Sequence, residues 1–192
     1  MRKMEKQLIE KFITKGINPT NGIDVGCGPK IKSVENCDGQ EFQGVLLGID
    51  RTKHFNPDLC CDISEINKYI KDKSIKLAIL VHTLEDIENP YECLRNIIKA
   101  LTKNGILIII CPYRDRYPRI GTEKANGAHK FDYEPYDVKY MVWRAFAKNK
   151  SNYEILSYNT LGDDSFEIVV KNKSGKLDYV HLPETKFCED VS

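Results

Sequence analysis

Two apolar runs constrain the fold of this chain more than any other feature. Residues 76–81 and 106–111 are dominated by Ile, Leu, Val and Ala, and residues 90–101 between them carry apolar side chains at helical spacing. An apolar run without alternation is typical of a strand buried on both faces, as in a parallel sheet. Two such strands joined by an amphipathic helix form a parallel crossover unit. These runs therefore predict an α/β fold.

The rest of the chain alternates in the same way. We expect a doubly wound, mostly parallel seven-stranded sheet with an antiparallel hairpin at one edge. The first crossover helix, between residues 29 and 44, is expected to be short or absent because that stretch has few large apolar positions. The further predicted elements are helices at 4–15 and 135–147 and strands at 22–25, 45–50, 58–62, 153–161 and 166–171.

Composition and charge limit the organisation and the class of protein. The 192 residues contain no repeat or Pro/Ser-rich linker, which predicts a single domain over 1–192, with an N-terminal helix in 1–18, a core at 20–171 and a tail at 172–192. With 29 basic and 28 acidic residues, the chain has no long-range attraction for a polyanion, so nucleic acid is not an expected partner. The longest apolar run has six residues, whereas a membrane span needs about 20.

The cysteines favour a reducing environment. There are seven, an odd number, and none has CxxC or other metal-ligand spacing. We therefore expect free thiols, no metal site and a cytoplasmic protein, since no secretion signal is visible either.

A glycine motif follows the first predicted strand. Asp24, Gly26 and Gly28 place two residues without a Cβ at the carboxyl end of that strand, where a ligand can lie against the backbone. The third glycine of a dinucleotide fingerprint is replaced by Ile31, which weakens the NAD interpretation. A Walker phosphate loop is excluded because no Gly-Lys-Ser or Gly-Lys-Thr follows.

Two acids follow later strands in the same order along the chain. Asp50 ends the second predicted strand, where a carboxylate can accept hydrogen bonds from both hydroxyls of a ribose, and Asp62 follows the third. As structural alternatives, the glycine motif is an ordinary turn, and Asp50 and Asp62 are capping residues, Asp62 for a short helix at 64–70.

With these motifs in order, residues 20–171 resemble the class I S-adenosylmethionine-dependent methyltransferases, in particular the small single-domain, type 11-like members. The resemblance implies that Asp24, Gly26 and Gly28 hold the methionine end of S-adenosylmethionine and that Asp50 binds its ribose. It also implies that Asp62 and the amide of Ile63 bind the adenine. The implied cofactor-binding residues are Asp24, Gly26, Cys27, Gly28, Asp50, Arg51, Asp62, Ile63 and His82.

The segment after the fourth strand is similar to a common stretch of that family. Residues 81–87 correspond to its His-Val-Leu-Glu-His-Ile, whose first backbone positions line the methionine, but Asp86 replaces the second histidine. Any acceptor role of that histidine therefore does not transfer. For His82 and Glu85, a helix-start role is the structural alternative to a chemical one.

The loop at 113–134 is the expected acceptor lid. It is longer than 20 residues and follows a strand at the carboxyl edge of the sheet, where ligands bind in open α/β sheets. His129 is the candidate general base because imidazole titrates near neutral pH. The candidate acceptor residues are Tyr113, Arg116, Asp132 and Glu85. The alternatives are a hydrogen-bonded loop histidine and a solvated loop face.

The expected function is methyl transfer from S-adenosylmethionine to an oxygen or nitrogen atom of a small molecule. One alternative is a degenerate methyltransferase domain that binds a nucleoside or a protein without catalysis. Another is methylation of RNA or protein, against which the near-zero net charge argues. The Asn/Asp-Pro-Pro-Tyr element of many exocyclic amine and glutamine methyltransferases is absent after the fourth strand. The sequence leaves the acceptor and the oligomeric state open.

Overall fold

The computed structural model of the chain describes residues 3–13, 16–29, 42–146 and 149–174. Three helices and seven strands alternate along it, with short 3-10 helices in the connections. The helices are α1 (Lys3–Glu10), α2 (Pro90–Ala100) and α3 (Pro135–Ala145); the strands are β1 (Gly22–Val25), β2 (Leu47–Asp50), β3 (Leu59–Cys60), β4 (Ile75–Val81), β5 (Leu101–Pro112), β6 (Tyr153–Leu161) and β7 (Ser165–Asn172).

All seven strands form one sheet in the order β3-β2-β1-β4-β5-β7-β6. The first five strands are mutually parallel, while β7 runs antiparallel to β5 and pairs with β6 as a hairpin. This confirms the predicted mostly parallel sheet with an antiparallel edge hairpin. The strand order reverses between β1 and β4, and ligands of open α/β sheets bind at the carboxyl ends of strands at such a reversal.

The sheet is buried on both faces, and β4 shows why its sequence is nearly all apolar. Ala78 and Leu80 belong to the core that contains the buried side chains of α2 and α3. Leu77 and Ile79 belong to the core on the opposite face, together with Leu8 and Ile9 of α1. Alternate residues of one strand thus fill two separate layers, so neither set of positions tolerates a polar residue.

Both longer helices start at a proline, as the sequence predicts. The side chain of Asn89 accepts a hydrogen bond from the amide of Glu92 at 3.1 Å and caps α2. At the start of α3, the amide of Glu134 donates to Asp137 Oδ2 at 2.9 Å. Proline at the first helical position loses no hydrogen bond, because that amide has no partner within a helix.

Several predicted boundaries differ from the structure: α1 ends at Glu10 rather than at residue 15, and β2 and β3 are shorter than predicted. The boundary between α2 and β5 differs for a clear physical reason. Lys103-Asn104-Gly105 is a sequence typical of a helix C-terminus, but α2 ends at Ala100. Leu101 already pairs with Ile75, and the register then shifts so that Leu77 pairs with Ile106. The intervening residues form an irregular turn within β5. Asn104 has a φ of 65° because of this turn, and not because a helix ends there.

Two further expectations fall largely outside the described part of the chain. The predicted absence of a first crossover helix concerns residues 29–44, of which 30–41 lie outside it, and the tail lies outside it from residue 175 onward. Within the described ranges, no helix is long and apolar enough to cross a membrane.

Gly105 tests the irregular turn of β5. A Cβ at this position would lie 3.0 Å from the carbonyl oxygens of Ile75 and Thr102. Gly105→Ala should therefore lower the free energy of unfolding by about 1–3 kcal/mol, measured by urea denaturation. Gly127→Ala is the matched control, because a Cβ there meets nothing within 4 Å. Equal stability of the two variants would contradict this account of the turn.

Candidate active site

The glycine motif turns sharply at the end of β1. Gly26 has φ +70°, and a Cβ on it would lie 2.4 Å from the side chain of Thr83, which follows β4. The amides of Gly26 and Cys27 donate to the carbonyl of Ile49 in β2, at 2.8 and 3.2 Å. The turn is thus fixed against both neighbouring strands, and only glycine fits at its first position.

The carboxylate of Asp50 is oriented by two backbone amides. Its Oδ2 accepts from the amide of Gly28 at 3.2 Å, and its Oδ1 accepts from the amide of Thr52 at 2.8 Å. A carboxylate has about four acceptor positions, so each oxygen keeps the capacity for one more hydrogen bond. Two adjacent hydroxyls of a ribose, each donating one hydrogen bond, require this arrangement of acceptors.

The glycine motif lies in a negative field. Burial of the carboxyl and the neighbouring charge of Asp50 raise the pKa of Asp24 to about 7. Burial raises the pKa of the Cys27 thiol to about 12, with added contributions from Asp24, Asp50 and Asp58. The clustered carboxylates therefore suit a cationic ligand, and the Cys27 thiol is not a nucleophile at neutral pH.

Asp62 has a local structural role in addition to any role in binding. It caps the 3-10 helix Ile63–Lys68, accepting hydrogen bonds from the amide of Ser64 at 2.8 Å and from its hydroxyl at 2.6 Å. These bonds hold the pKa of Asp62 below its usual value, with a smaller contribution from Arg51. The side chain of Asp62 is therefore a helix cap, which is the structural alternative to a binding role. The positive charge of the exposed Arg51 lowers the pKa of both Asp62 and Asp86.

His82 has an unusual backbone conformation and a partner that the sequence did not suggest. Its φ is 49°, in the left-handed region, and its amide donates to the carbonyl of Ile110 at 2.9 Å. Its Nε2 lies 2.8 Å from Oε1 of Glu5 in α1. Glu5 is 1% exposed. The sequence does contain a sign that Glu5 is buried. Glu5 lies on the same face of α1 as Leu8 and Ile9, where an apolar residue is expected.

Glu85 anchors the lid loop (residues 113–134) to the end of β4. Its carbonyl accepts hydrogen bonds from the amides of Lys130 and Phe131, at 2.8 and 3.2 Å. Its carboxylate is buried, and no N–H or O–H donor among the described residues reaches either oxygen. Burial raises the pKa of Glu85 to about 7, against the opposing charge of His82.

His129 belongs to the lid loop, and its buried side chain lies beside that carboxylate. Its Nε2 is 3.8 Å from Oε1 of Glu85, and its ring stacks on Tyr117 with centroids 5.4 Å apart. Burial lowers the pKa of His129, although Asp86 and Asp132 act in the opposite direction. The neutral imidazole, which can accept a proton, is therefore the dominant form at neutral pH.

The remaining predicted acceptor residues organise the lid loop itself. Asp132 Oδ2 accepts from the amide of Ile120 at 2.9 Å. The guanidinium of Arg116 lies over the ring of Tyr113, 5.2 Å from its centroid, and Tyr113 packs edge-on against Phe166. The structure thus places His129 next to Glu85, but it pairs Arg116 with Tyr113 and Asp132 with the loop backbone.

Two polar residues beside Glu85 were not predicted as site residues. Oδ1 of Asp86 and the hydroxyl of Tyr133 are buried and lack a hydrogen-bond partner among the described residues. Burial is the main cause of the raised pKa of each group. The position of Asp86 next to Glu85 is visible in the sequence, whereas Tyr133 gives no signal there because its burial depends on how the lid loop folds back.

These residues form two adjacent groups with different chemical capabilities. The ends of β1 and β2 present oriented carboxylates that suit hydroxyl groups and positive charge. The segment after β4, together with the lid loop, presents a neutral imidazole whose pKa burial lowers and a carboxyl whose pKa burial raises to about 7. Both groups lie in a doubly wound α/β domain, at the edge of the sheet where ligands bind in open α/β sheets.

Comparison with known families identifies the class. Residues 2–163 match the model of a methyltransferase domain family. The chain therefore belongs to this methyltransferase family. The predicted superfamily, the class I S-adenosylmethionine-dependent methyltransferases, is confirmed, and with it the enzyme class and S-adenosylmethionine as methyl donor.

Solved structures agree with the fold at low sequence identity. A SAM-dependent methyltransferase from Archaeoglobus fulgidus is 14% identical, with a TM-score of 0.62 over 90% of this chain and 95% of that one. One from Aquifex aeolicus is 14% identical, with a TM-score of 0.60 over 87% and 88%. The [4+2]-cyclase SpnF is also 14% identical, with a TM-score of 0.64 over 88% and 80%. No protein of curated function matches the chain.

The buried carboxyl of Glu85 predicts a specific pH dependence of stability. Its pKa rises from 4.5 in the unfolded chain to about 7 in the folded one. The folded state thus holds this proton more tightly, so the contribution of Glu85 is most favourable below pH 4.5 and is lost as the pH rises to about 7. Glu85→Gln should flatten this decline by on the order of 1 kcal/mol or more.

Urea denaturation from pH 4.5 to 8 measures this effect. Glu88→Gln is the control, because the Glu88 side chain is 75% exposed and its loss should leave the wild-type slope unchanged. A Glu85→Gln slope that matches the wild-type slope would show that Glu85 ionises normally in the folded protein.

Proposed function

We propose that this methyltransferase transfers a methyl group to an oxygen or nitrogen atom of a small-molecule acceptor. The observation that carries the proposal is the buried carboxyl of Glu85 beside the neutral imidazole of His129: its oxygens lack a strong hydrogen-bond donor among the described residues, although the Cys111 thiol lies next to them. A buried carboxylate without a donor is costly, and an acceptor group with an O–H or N–H bond would supply that donor. The acceptor would bind between the lid loop and the end of β4.

The residues present at the crevice fit S-adenosylmethionine. We propose that Asp50 binds the ribose hydroxyls, because amides orient its carboxylate while both oxygens keep free acceptor capacity. The negative field around Asp24 and Cys27 suits the positive groups of the methionine end. The full proposed set is Asp24, Gly26, Cys27, Gly28, Asp50, Arg51, Asp62, Ile63 and His82.

S-adenosylmethionine supplies, when bound, a methyl group on a positively charged sulfur that is already activated toward displacement. The task of the protein is then to hold the acceptor in line and to exclude water. The lid loop is built for this, since it is fixed to Glu85 by two backbone hydrogen bonds. Tyr113, Arg116 and Asp132 are proposed to orient the acceptor, with Arg116 exposed at the loop surface.

His129 is the proposed general base. A hydroxyl acceptor must lose its proton as it attacks, and an amine must lose one before or after the attack. Because burial lowers the pKa of His129, the base form is available at neutral pH. Glu85 lies on the Nε2 side of the ring, so Nδ1 is the nitrogen proposed to receive the proton from the acceptor.

Asp50→Asn tests the cofactor proposal. Replacing the carboxylate by an amide weakens the hydrogen bonds to the ribose hydroxyls, which should reduce the affinity for S-adenosylhomocysteine by about 10- to 100-fold. Isothermal titration calorimetry measures this. Asp72→Asn is the control, because Asp72 is half-exposed and precedes the amino end of β4, at the opposite edge of the sheet. Equal affinities of the two variants would remove Asp50 from the site.

The acceptor itself is best found by transfer of a labelled methyl group to fractionated small metabolites. Transfer to a fraction identifies the substrate. Cofactor binding without transfer to any fraction would favour the non-catalytic alternative, in which the domain binds a nucleoside or a partner.

Once an acceptor is known, His129→Ala tests the base. Loss of a general base should lower kcat by about 100-fold or more while the affinity for the cofactor changes less than about twofold. His54→Ala provides the matched control, since His54 is exposed outside the site. Near-normal turnover of His129→Ala would return His129 to a structural role.

We also propose that the whole chain acts as one domain in the reducing cytoplasm. Two features support this: the family match over residues 2–163, and the free thiols of five described cysteines, Cys27, Cys60, Cys61, Cys93 and Cys111.

A further inference from the structure

Four titratable side chains form a continuous line from α1 to the lid loop. Oε1 of Glu5 lies 2.8 Å from Nε2 of His82. Nδ1 of the same imidazole lies 3.8 Å from Oε1 of Glu85, and that oxygen is in turn 3.8 Å from Nε2 of His129. Acids and imidazoles alternate along this line, so each neighbouring pair contains one proton donor and one acceptor.

The line is buried along most of its length. The side chains of Glu5 and Glu85 are each 1% exposed, and that of His129 is 4% exposed. Electrostatic coupling between titratable groups is strong where water is excluded. A change in the charge of one member is therefore felt by the next.

The two 3.8 Å separations are longer than hydrogen bonds, but they place Glu85 midway between two imidazoles. Catalytic hydrogen bonds are often long before substrate binds and tighten in the complex. A shift of the carboxyl by less than 1 Å toward either ring would complete a hydrogen bond. Glu85 can therefore exchange its partner without leaving the line.

Several titratable groups from neighbouring elements face Glu85 and His129. Around Glu85 they are His82, Asp86, His129 and Tyr133, with the Cys111 thiol from β5. Around His129 they also include Asp132. The positive charges of Arg51 and Lys130 act on Asp86.

We propose that Glu5, His82, Glu85 and His129 form one proton-sharing chain, in which Glu5 of α1 is a positioning residue for the base. The assignment of His129 as base rests on the proposed function. The chain itself is a property of the protein without substrate.

The proton balance of the proposed step is simple. When the acceptor group loses its proton to Nδ1 of His129, the Nε2 proton of the same ring passes to the ionised Glu85 carboxyl. His129 returns to the neutral form with its proton on the other nitrogen, and no charge accumulates on the ring. Glu5 holds the His82 ring in place, and through it sets how readily Glu85 ionises.

Carbon-13 NMR of the full chain labelled in Glu and His measures the coupling without any acceptor. His82 favours the ionised form of Glu85. Glu5→Gln removes the carboxylate that holds the His82 ring beside Glu85, so it should raise the titration midpoint of the Glu85 carboxyl by about half a pH unit or more. Glu10→Gln, an exposed acid of the same helix, should leave that midpoint unchanged.

A double-mutant cycle identifies the route of the coupling. In the His82→Gln background, Glu5→Gln should have no further effect on Glu85, because the link is already broken. An unchanged Glu85 midpoint in Glu5→Gln, or an equal shift in both backgrounds, overturns the chain. If Glu5→Gln does not fold, His82→Gln alone decides: its Glu85 midpoint must rise.

Two further measurements separate this proposal from the proposed function. S-adenosylhomocysteine binding of each variant, measured by calorimetry, reports on the cofactor site alone. Once an acceptor is known, Glu5→Gln should move the pH profile of kcat, whereas a purely structural role would lower kcat equally at every pH. An intact chain in a protein that transfers no methyl group would contradict the function and leave the chain standing.

Discussion

The burial of β4 on both faces is the constraint on which the rest of the structure depends. Its residues fill two cores at once, so the strand cannot shift in register without placing Lys76 in one of them. Because β4 lies between β1 and β5, its fixed end determines where Thr83 and Glu85 lie. Thr83 packs against Gly26 of the glycine turn, and the carbonyl of Glu85 accepts hydrogen bonds from the lid loop. The proposed cofactor site and the proposed acceptor site thus both depend on the position of the end of β4.

The site accepts unfavourable burial of charge at two points. Asp24 and Glu85 both have pKa values raised to about 7, although ordinary carboxyls are fully ionised there. Groups perturbed in this way cluster at functional sites because chemistry near neutral pH requires protons that move easily. The stability lost at these positions is offset by the apolar contacts of the sheet.

Much of the fold was predictable because local signals and burial agree. β1 and β6 have the bounds expected from their flanking turns. The end of α2 was predicted wrongly because the local signal and the tertiary pairing disagree there. The Asn104-Gly105 pair is typical of a helix end, yet the pairing of Leu101 with Ile75 ends α2 earlier. The order of acids along the parallel strands predicted that Asp24 and Asp50 lie at neighbouring strands of the sheet, as the pairing of β1 with β2 shows. The contact between Glu5 and His82 joins residues 77 positions apart, so no local pattern reveals it.

The sheet order has a consequence for the sequence of events during synthesis. β1 needs β4 as a neighbour, and Leu8 and Ile9 of α1 belong to a core completed by Ile108 and Val169. The helix α1 is therefore synthesised long before β7, and it completes the burial of its apolar face only when that strand is in place. Contacts between residues so distant along the chain form slowly. We therefore expect the apolar face of α1 to stay exposed while the chain is being synthesised, when chaperones can bind it.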